Sequence, residues 1–116
     1  YYIVYNLLMK KIRTYSKYSL EAASLLAQQI KLGRKQRRWS EKNLADRAGI
    51  SRVTLRRIEN GEMSCAIGLV FEVAMLVGIN LFEQDVISFA RQIEHAKDKV
   101  ALLPKRIREK VVDDDF

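Results

Sequence analysis

One proline, five glycines, one cysteine and one histidine are spread over 116 residues. So little proline and glycine leaves no room for the many tight turns of a β-rich fold. A single cysteine excludes an internal disulfide framework and fits a reducing, cytoplasmic setting. Cys65 itself reads as a small buried hydrophobe. The longest apolar stretch, AIGLVFEVAMLVG, is too short for a bilayer and is interrupted by Glu72, so no membrane association is expected. The opening YYIVYNLLMKK puts its apolar run before its lysines, the reverse of a signal peptide's order, and no export signal is expected. Enzyme chemistry is missing as well. His95 sits among charged residues far from Cys65, with no glycine-rich phosphate loop, no Cys/His ligand spacing and no paired carboxylates in a pocket-like context. Catalytic residues, metals and cofactors are therefore all expected to be absent.

What is present is hydrophobicity and unevenly placed charge. Hydrophobic residues make up 48% of the chain, enough for one core with short appendages. The net charge is +7, but residues 1–57 carry +11 and residues 58–116 carry −4. The densest stretch, 31–57, has ten basic residues against Glu41 and Asp46. A basic run is often only a solvated face. A division this strong favours an anionic partner, with nucleic acid ahead of membrane. RNA fits less well, because the aromatics are not interleaved with the basic run as stacking modules require.

The pattern predicts five helices and no sheet. Residues 1–16 form an arm, and Met9 offers an alternative start that leaves residues 1–8 open as part of the fold. Ser19 is the expected N-cap of a helix over 20–38, with Ala23, Leu26, Ala27 and Ile30 at 3/4 spacing. Ser40 caps a helix over 41–48, and Ser51 caps one over 52–59 that Asn60-Gly61 stops. Residues 66–77 are apolar almost all round, which predicts a buried central helix. Asn80 with Glu83 gives a capping-box start to a last helix ending at Pro104.

Within this order the stretch LADRAGISRVTLRRIENG carries most of the information. Two short helices joined by Gly49-Ile50-Ser51 must cross closely at a steep angle. Ala45 is small at the contact, and Gly49 allows the positive φ that so tight a turn needs. Leu44, Ala48, Ile50, Leu55 and Ile58 fall at inward positions, leaving Arg52, Val53, Arg56 and Arg57 outside. Together these features predict a helix-turn-helix, against the alternative of an αα-hairpin used only for packing.

The segment IKLGRKQRRWSEKNLADRAGISRVTLRRIENGE resembles the Cro/repressor (xenobiotic-response-element) class of helix-turn-helix domains. The resemblance spans roughly residues 20–79 and implies an all-α, lambda-repressor-like domain of five helices. YSLEAASLLAQQIKLGR, GEMSCAIGLVFEVAMLVGINLF and ALLPKRIREKVVDDDF are similar, more narrowly, to HipB-like antitoxins, the DNA-binding partners of HipA-type serine/threonine kinase toxins. The resemblance implies a sequence-specific, nucleoid-associated repressor of an operon that encodes such a toxin, in one chain or split. A stand-alone phage-type regulator is the alternative. Arg52, Val53 and Arg57 would then read bases in the major groove, and Ser40, Lys42, Ser51, Thr54 and Arg56 would contact phosphate. Glu41 departs from the family, since it stands where a glutamine commonly contacts the DNA backbone and a carboxylate cannot donate to phosphate. It is instead expected to serve its own helix as an N-terminal acid. Arg34 and Glu59 occupy positions that form an ion pair in the family, against the alternative of two solvated charges. Gly33 stands where the family prefers alanine or leucine, and Trp39, in place of an aliphatic, is expected in the core.

Residues 17–79 are thus expected to be the DNA-binding domain, 80–103 a dimerisation helix and 104–116 a tail. Phe82, Val86, Phe89, Ile93, Ala96, Val100 and Leu103 step by alternating fours and threes, a heptad seam suited to a homodimer or to packing back on the helix at 66–77. The tail PKRIREKVVDDDF has little to bury. It is expected either to remain solvated or to order on the toxin partner through Val111, Val112 and Phe116.

Overall fold

Ser16, not Ser19, opens the first helix. The computed structural model describes residues 13–82 and 86–106, with Val86 described by its backbone alone. Helix α1, Lys17–Gln36, begins where the Ser16 hydroxyl accepts the Ser19 amide at 3.1 Å. Two serines three residues apart both qualify as caps. The earlier one prevails because it adds backbone bonds, including Leu20 N–H to the Ser16 carbonyl at 3.1 Å, and bonds the Ser19 hydroxyl at 3.0 Å as well. The helix also stops sooner than the expected residue 38. Arg38 turns left-handed at φ 59°, and the amides of Arg38 and Trp39 bond back to the carbonyls of Lys35 and Arg34 at 2.9 and 3.1 Å. This is a Schellman stop with an arginine where glycine is usual.

Three more helices complete the first of two units into which the chain divides, the break falling after Ile79. They are α2, Glu41–Ala48, α3, Arg52–Glu59, and α4, Ile67–Leu76. Ser40 and Ser51 cap α2 and α3, each accepting the amide three residues on, at 3.0 and 3.1 Å. Ile30 of α1, Leu44 of α2, Leu55 of α3 and Val73 of α4 meet in the core with no exposed surface at all. Each lies on its helix's inward apolar face, so one fully buried residue from each of these four helices locks the unit together.

The close approach of α1 to the end of α4 explains Gly33. A Cβ there would lie 3.0 Å from both the Cβ and the carbonyl oxygen of Val77, where the lone hydrogen of glycine fits. That carbonyl is held in place by Arg37 Nη1 at 2.7 Å. The weakening of α1 by about 0.5–1 kcal/mol relative to alanine is the cost of bringing the helices together.

The prediction that α4 is buried all round is corrected. Val73 and Ala74 are buried, but Ile67 and Met75 are 70% and 58% exposed. Residues of α1, α2 and α3 cover one face of α4, and the opposite face carries the exposed Ile67 and Met75.

The second unit contains α5, Val86–Leu102. It does not start at Asn80: residues 80–82 are non-helical, and Glu83 lies outside the described residues. Phe82 therefore precedes the helix, with its ring centroid 6.3 Å from that of Phe89. Seven residues along one helix would separate them by about 10.5 Å. The expected seam is shortened accordingly. Its helical members are Val86, Phe89, Ile93, Ala96 and Val100, while Leu103 follows the last turn with its amide bonded to the Val100 carbonyl at 3.1 Å. Ile93 and Val100 are 52% and 69% exposed. The expected tail anchors Val111, Val112 and Phe116, and the first twelve residues of the arm, lie outside the described residues. Among the described residues the fold is all-α, with five helices and no strand, and no helix is long and apolar enough to cross a membrane.

Candidate nucleic-acid interface

The turn between α2 and α3 is three residues long, and each residue sets part of its geometry. Gly49 adopts φ 71° and ends α2, as its lack of a Cβ permits. The Ile50 amide then bonds to the Ala45 carbonyl at 3.0 Å, reversing the chain. Ser51, in extended conformation, starts α3. Ala45, 1% exposed, keeps the helices close, and Ala48 and Ile50 pack against the same core. With Leu55 and Ile58 inward, Arg52, Val53, Arg56 and Arg57 project to solvent on α3.

Behind this face, Arg34 and Glu59 form a forked ion pair. Arg34 Nε lies 2.7 Å from Glu59 Oε2 and Nη2 lies 3.0 Å from Oε1, while Nη1 bonds the Trp39 carbonyl at 3.0 Å. The residues are 7% and 2% exposed. The hydrogen bonds from Arg34 to Glu59 raise the guanidinium pKa above its ordinary value against the opposing effect of burial. The pair ties the end of α3 to α1 and sets the angle at which α3 is displayed.

The polar residues around the helix starts are also placed. Ser40 Oγ accepts the Asn43 amide, leaving its own O–H to donate outward. Ser51 Oγ accepts the Thr54 amide and lies 2.9 Å from Thr54 Oγ1, so one of these hydroxyls donates to the other. Lys42 Nζ is 2.9 Å from Asp46 on the exposed face of α2. Val53, 58% exposed, offers a bare apolar patch between arginines.

Several contacts carried no sequence signal. Trp39 lies partly buried against the core, where it was expected, but the cover given to its ring by Arg47, 4.1 Å from the centroid, and by Arg37 at 5.7 Å was not. Arg47 is itself oriented by Asn43 Oδ1 at 2.7 Å. The bond of Arg37 to Val77 spans 40 residues. Glu41 does more than begin α2: its Oε1 accepts Arg56 Nε at 3.1 Å and lies 4.0 Å from Arg52 Nη2. That hydrogen bond, reinforced by the nearby charges of Arg56, Arg34 and Arg52, holds the Glu41 carboxyl below its ordinary pKa. Cys65 is half-buried, and burial pushes its thiol pKa up. Among the described residues, no group of three His, Cys, Asp or Glu side chains is placed to hold a metal ion.

The chain is similar to a solved structure named "MDT Protein", at 24% identity and a TM-score of 0.48, over 66% of this chain and 99% of that one. No curated protein matches it. The family model described as Helix-turn-helix matches residues 30–84, a span that begins in α1 and includes α2, its turn, α3 and α4. Sequence match and geometry fall on the same residues, and the two short helices α2 and α3 with their three-residue turn form a helix-turn-helix.

Proposed function

We propose that the protein is a sequence-specific transcriptional repressor that lays α3 in the DNA major groove. The display of Arg52, Val53 and Arg57 on the outer face of α3, beside a glycine-based turn, carries this reading. Arginine is the usual bidentate reader of guanine, and Val53 suits a thymine methyl. In this reading Lys42, Arg56 and the Ser40 hydroxyl are phosphate donors, joined by whichever hydroxyl of the hydrogen-bonded Ser51–Thr54 pair keeps its proton for the DNA.

The protein acts as a homodimer, with the apolar seam Phe89, Ile93, Ala96 and Val100 on α5 as the pairing surface. Two-fold pairing places two recognition helices about 34 Å apart and calls for an inverted-repeat operator. Its setting is a toxin–antitoxin operon, with a HipA-type kinase as partner for the carboxyl-terminal residues. This rests on the similarity of three sequence segments to HipB-like antitoxins.

Titration against the native upstream fragment and a scrambled one tests the DNA reading. Arg52→Ala is expected to cost about 1–3 kcal/mol on the native fragment and relax specificity at one position. Lys42→Ala weakens both fragments alike and flattens the salt slope by about one. Equal losses on both fragments for Arg52→Ala overturn direct readout. Removing residues 104–116 tests the partner: operator binding stays intact while co-purification with the neighbouring gene's product weakens. An unrelated neighbour leaves a stand-alone regulator.

A further inference from the structure

The interface contains an acid where affinity for DNA alone calls for none. Between residues 31 and 57 there are ten basic residues and two acidic ones. Asp46 is engaged on its own helix by Lys42. Glu41 is engaged across the turn, accepting Arg56 Nε at 3.1 Å and sitting 4.0 Å from Arg52 Nη2. It is the first residue of α2, directly after the Ser40 cap, and is half-buried. Its backbone is therefore fixed, and its carboxylate reaches α3 from a rigid base.

We infer that Glu41 is a positioning residue that determines specificity, aiming the arginines of α3 and lowering their attraction to phosphate in general. The inference rests on the DNA-binding reading above. Bonding through Nε leaves the donors on both terminal nitrogens of Arg56 for other partners, so the guanidinium is oriented without being used up. The same carboxylate restrains Arg52 by charge at the first turn of the recognition helix. A fixed negative charge also repels phosphate at every sequence, whereas base contacts are made only at the correct one. Non-specific binding is almost wholly electrostatic, and so the acid penalises it more than specific binding. Glu41 lowers affinity for wrong DNA, while at the right sequence its aiming of the arginines offsets the repulsion, and the gap between the two widens. A role confined to the amino end of α2 gives a different result, because that contribution is the same for every DNA sequence.

The test uses the full chain and two probes: a duplex selected by the wild-type chain from a random pool, and a scrambled duplex of equal composition. E41Q is expected to bind the scrambled duplex about threefold to tenfold more tightly and the selected one little differently, with the scrambled salt slope steeper by about one. E41D keeps the charge but withdraws it by one methylene, and is expected to lose part of the discrimination with no change of slope. In an Arg56→Met background, E41Q is expected to have a smaller effect on the ratio. A wild-type chain that selects no duplex overturns the DNA-binding reading and this inference with it. A chain that selects, with the E41Q ratio unchanged or shifted equally in the Arg56→Met background, overturns this inference alone.

Discussion

Arg34 and Glu59, 25 residues apart in the chain, meet in a two-pronged ion pair closed off from solvent by the helices that carry them. Taking two charges out of water is costly, and the pair is sustained because Arg34 bonds both Glu59 oxygens while its third nitrogen bonds the Trp39 carbonyl. Removing one partner leaves the other buried and uncompensated. Glu59→Ala is expected to destabilise the domain by about 3–5 kcal/mol, whereas Arg34→Met with Glu59→Leu recovers much of that loss. Urea unfolding of the single and double variants measures both.

Gly33 is the second stability prediction, and here helix propensity alone gives the wrong sign. Alanine is the better helix former by about 0.5–1 kcal/mol. Its methyl would nevertheless meet Val77 at 3.0 Å, against a carbonyl that Arg37 already holds. Gly33→Ala is expected to destabilise by about 1–3 kcal/mol. Combining it with Val77→Ala does not restore stability, because alanine keeps both the Cβ and the carbonyl oxygen at 3.0 Å and removes only the Cγ2 contact at 3.2 Å; a full recovery would show that Cγ2 alone makes the approach tight.

Arg38 offers the opposite experiment. It is the non-glycine residue at positive φ among those described, at the stop of α1. Left-handed backbone costs an ordinary residue about 1–2 kcal/mol. Arg38→Gly is expected to stabilise the domain by about 1 kcal/mol, read as a rise in denaturation midpoint at unchanged slope.

Glu41 makes stability depend on pH, and the sign follows from the direction of its shift. Its folded pKa is depressed from 4.5, chiefly by the hydrogen bond from Arg56. The stabilisation is fully present above the unfolded value and is lost as pH falls through the folded one. Wild type is therefore expected to exceed Glu41→Gln in stability at neutral pH, with the difference closing in acid. Thermal melts of both proteins between pH 7 and pH 2.5 check it. A difference that widens in acid would contradict the assignment.

Pairing through α5 gives the last prediction. Ile93→Asp places a charge in the middle of the seam, where Ile93 is half-exposed in the single chain. Sedimentation is expected to show monomers at micromolar concentration, with operator affinity greatly reduced. A variant that stays dimeric moves the interface elsewhere.

The helices α2 and α3 and their turn were legible in the chain because their signals are local: a serine before each helix, Gly49 between them, and apolar residues at helical spacing. The core residues Ile30, Leu44, Leu55 and Val73 followed from the same periodicity. Local signals failed where two residues offered the same chemistry or where the outcome depended on a distant neighbour. Ser16 took the cap from Ser19 through one more set of backbone bonds, and the capping-box pattern of Asn80 with Glu83 started the last helix too early, so Phe82 lies before the helix with its ring beside Phe89. Uniform apolarity in α4 could not reveal which face its neighbours would cover. The long-range contacts were decided by tertiary structure alone. Gly33 is small because Val77 comes to it from the far end of the domain, and Glu41 is engaged because the steep turn carries Arg56 back to within hydrogen-bond reach. Sequence determines what each residue can do with its neighbours in the chain, but a contact across the fold exists only once packing has set the distance.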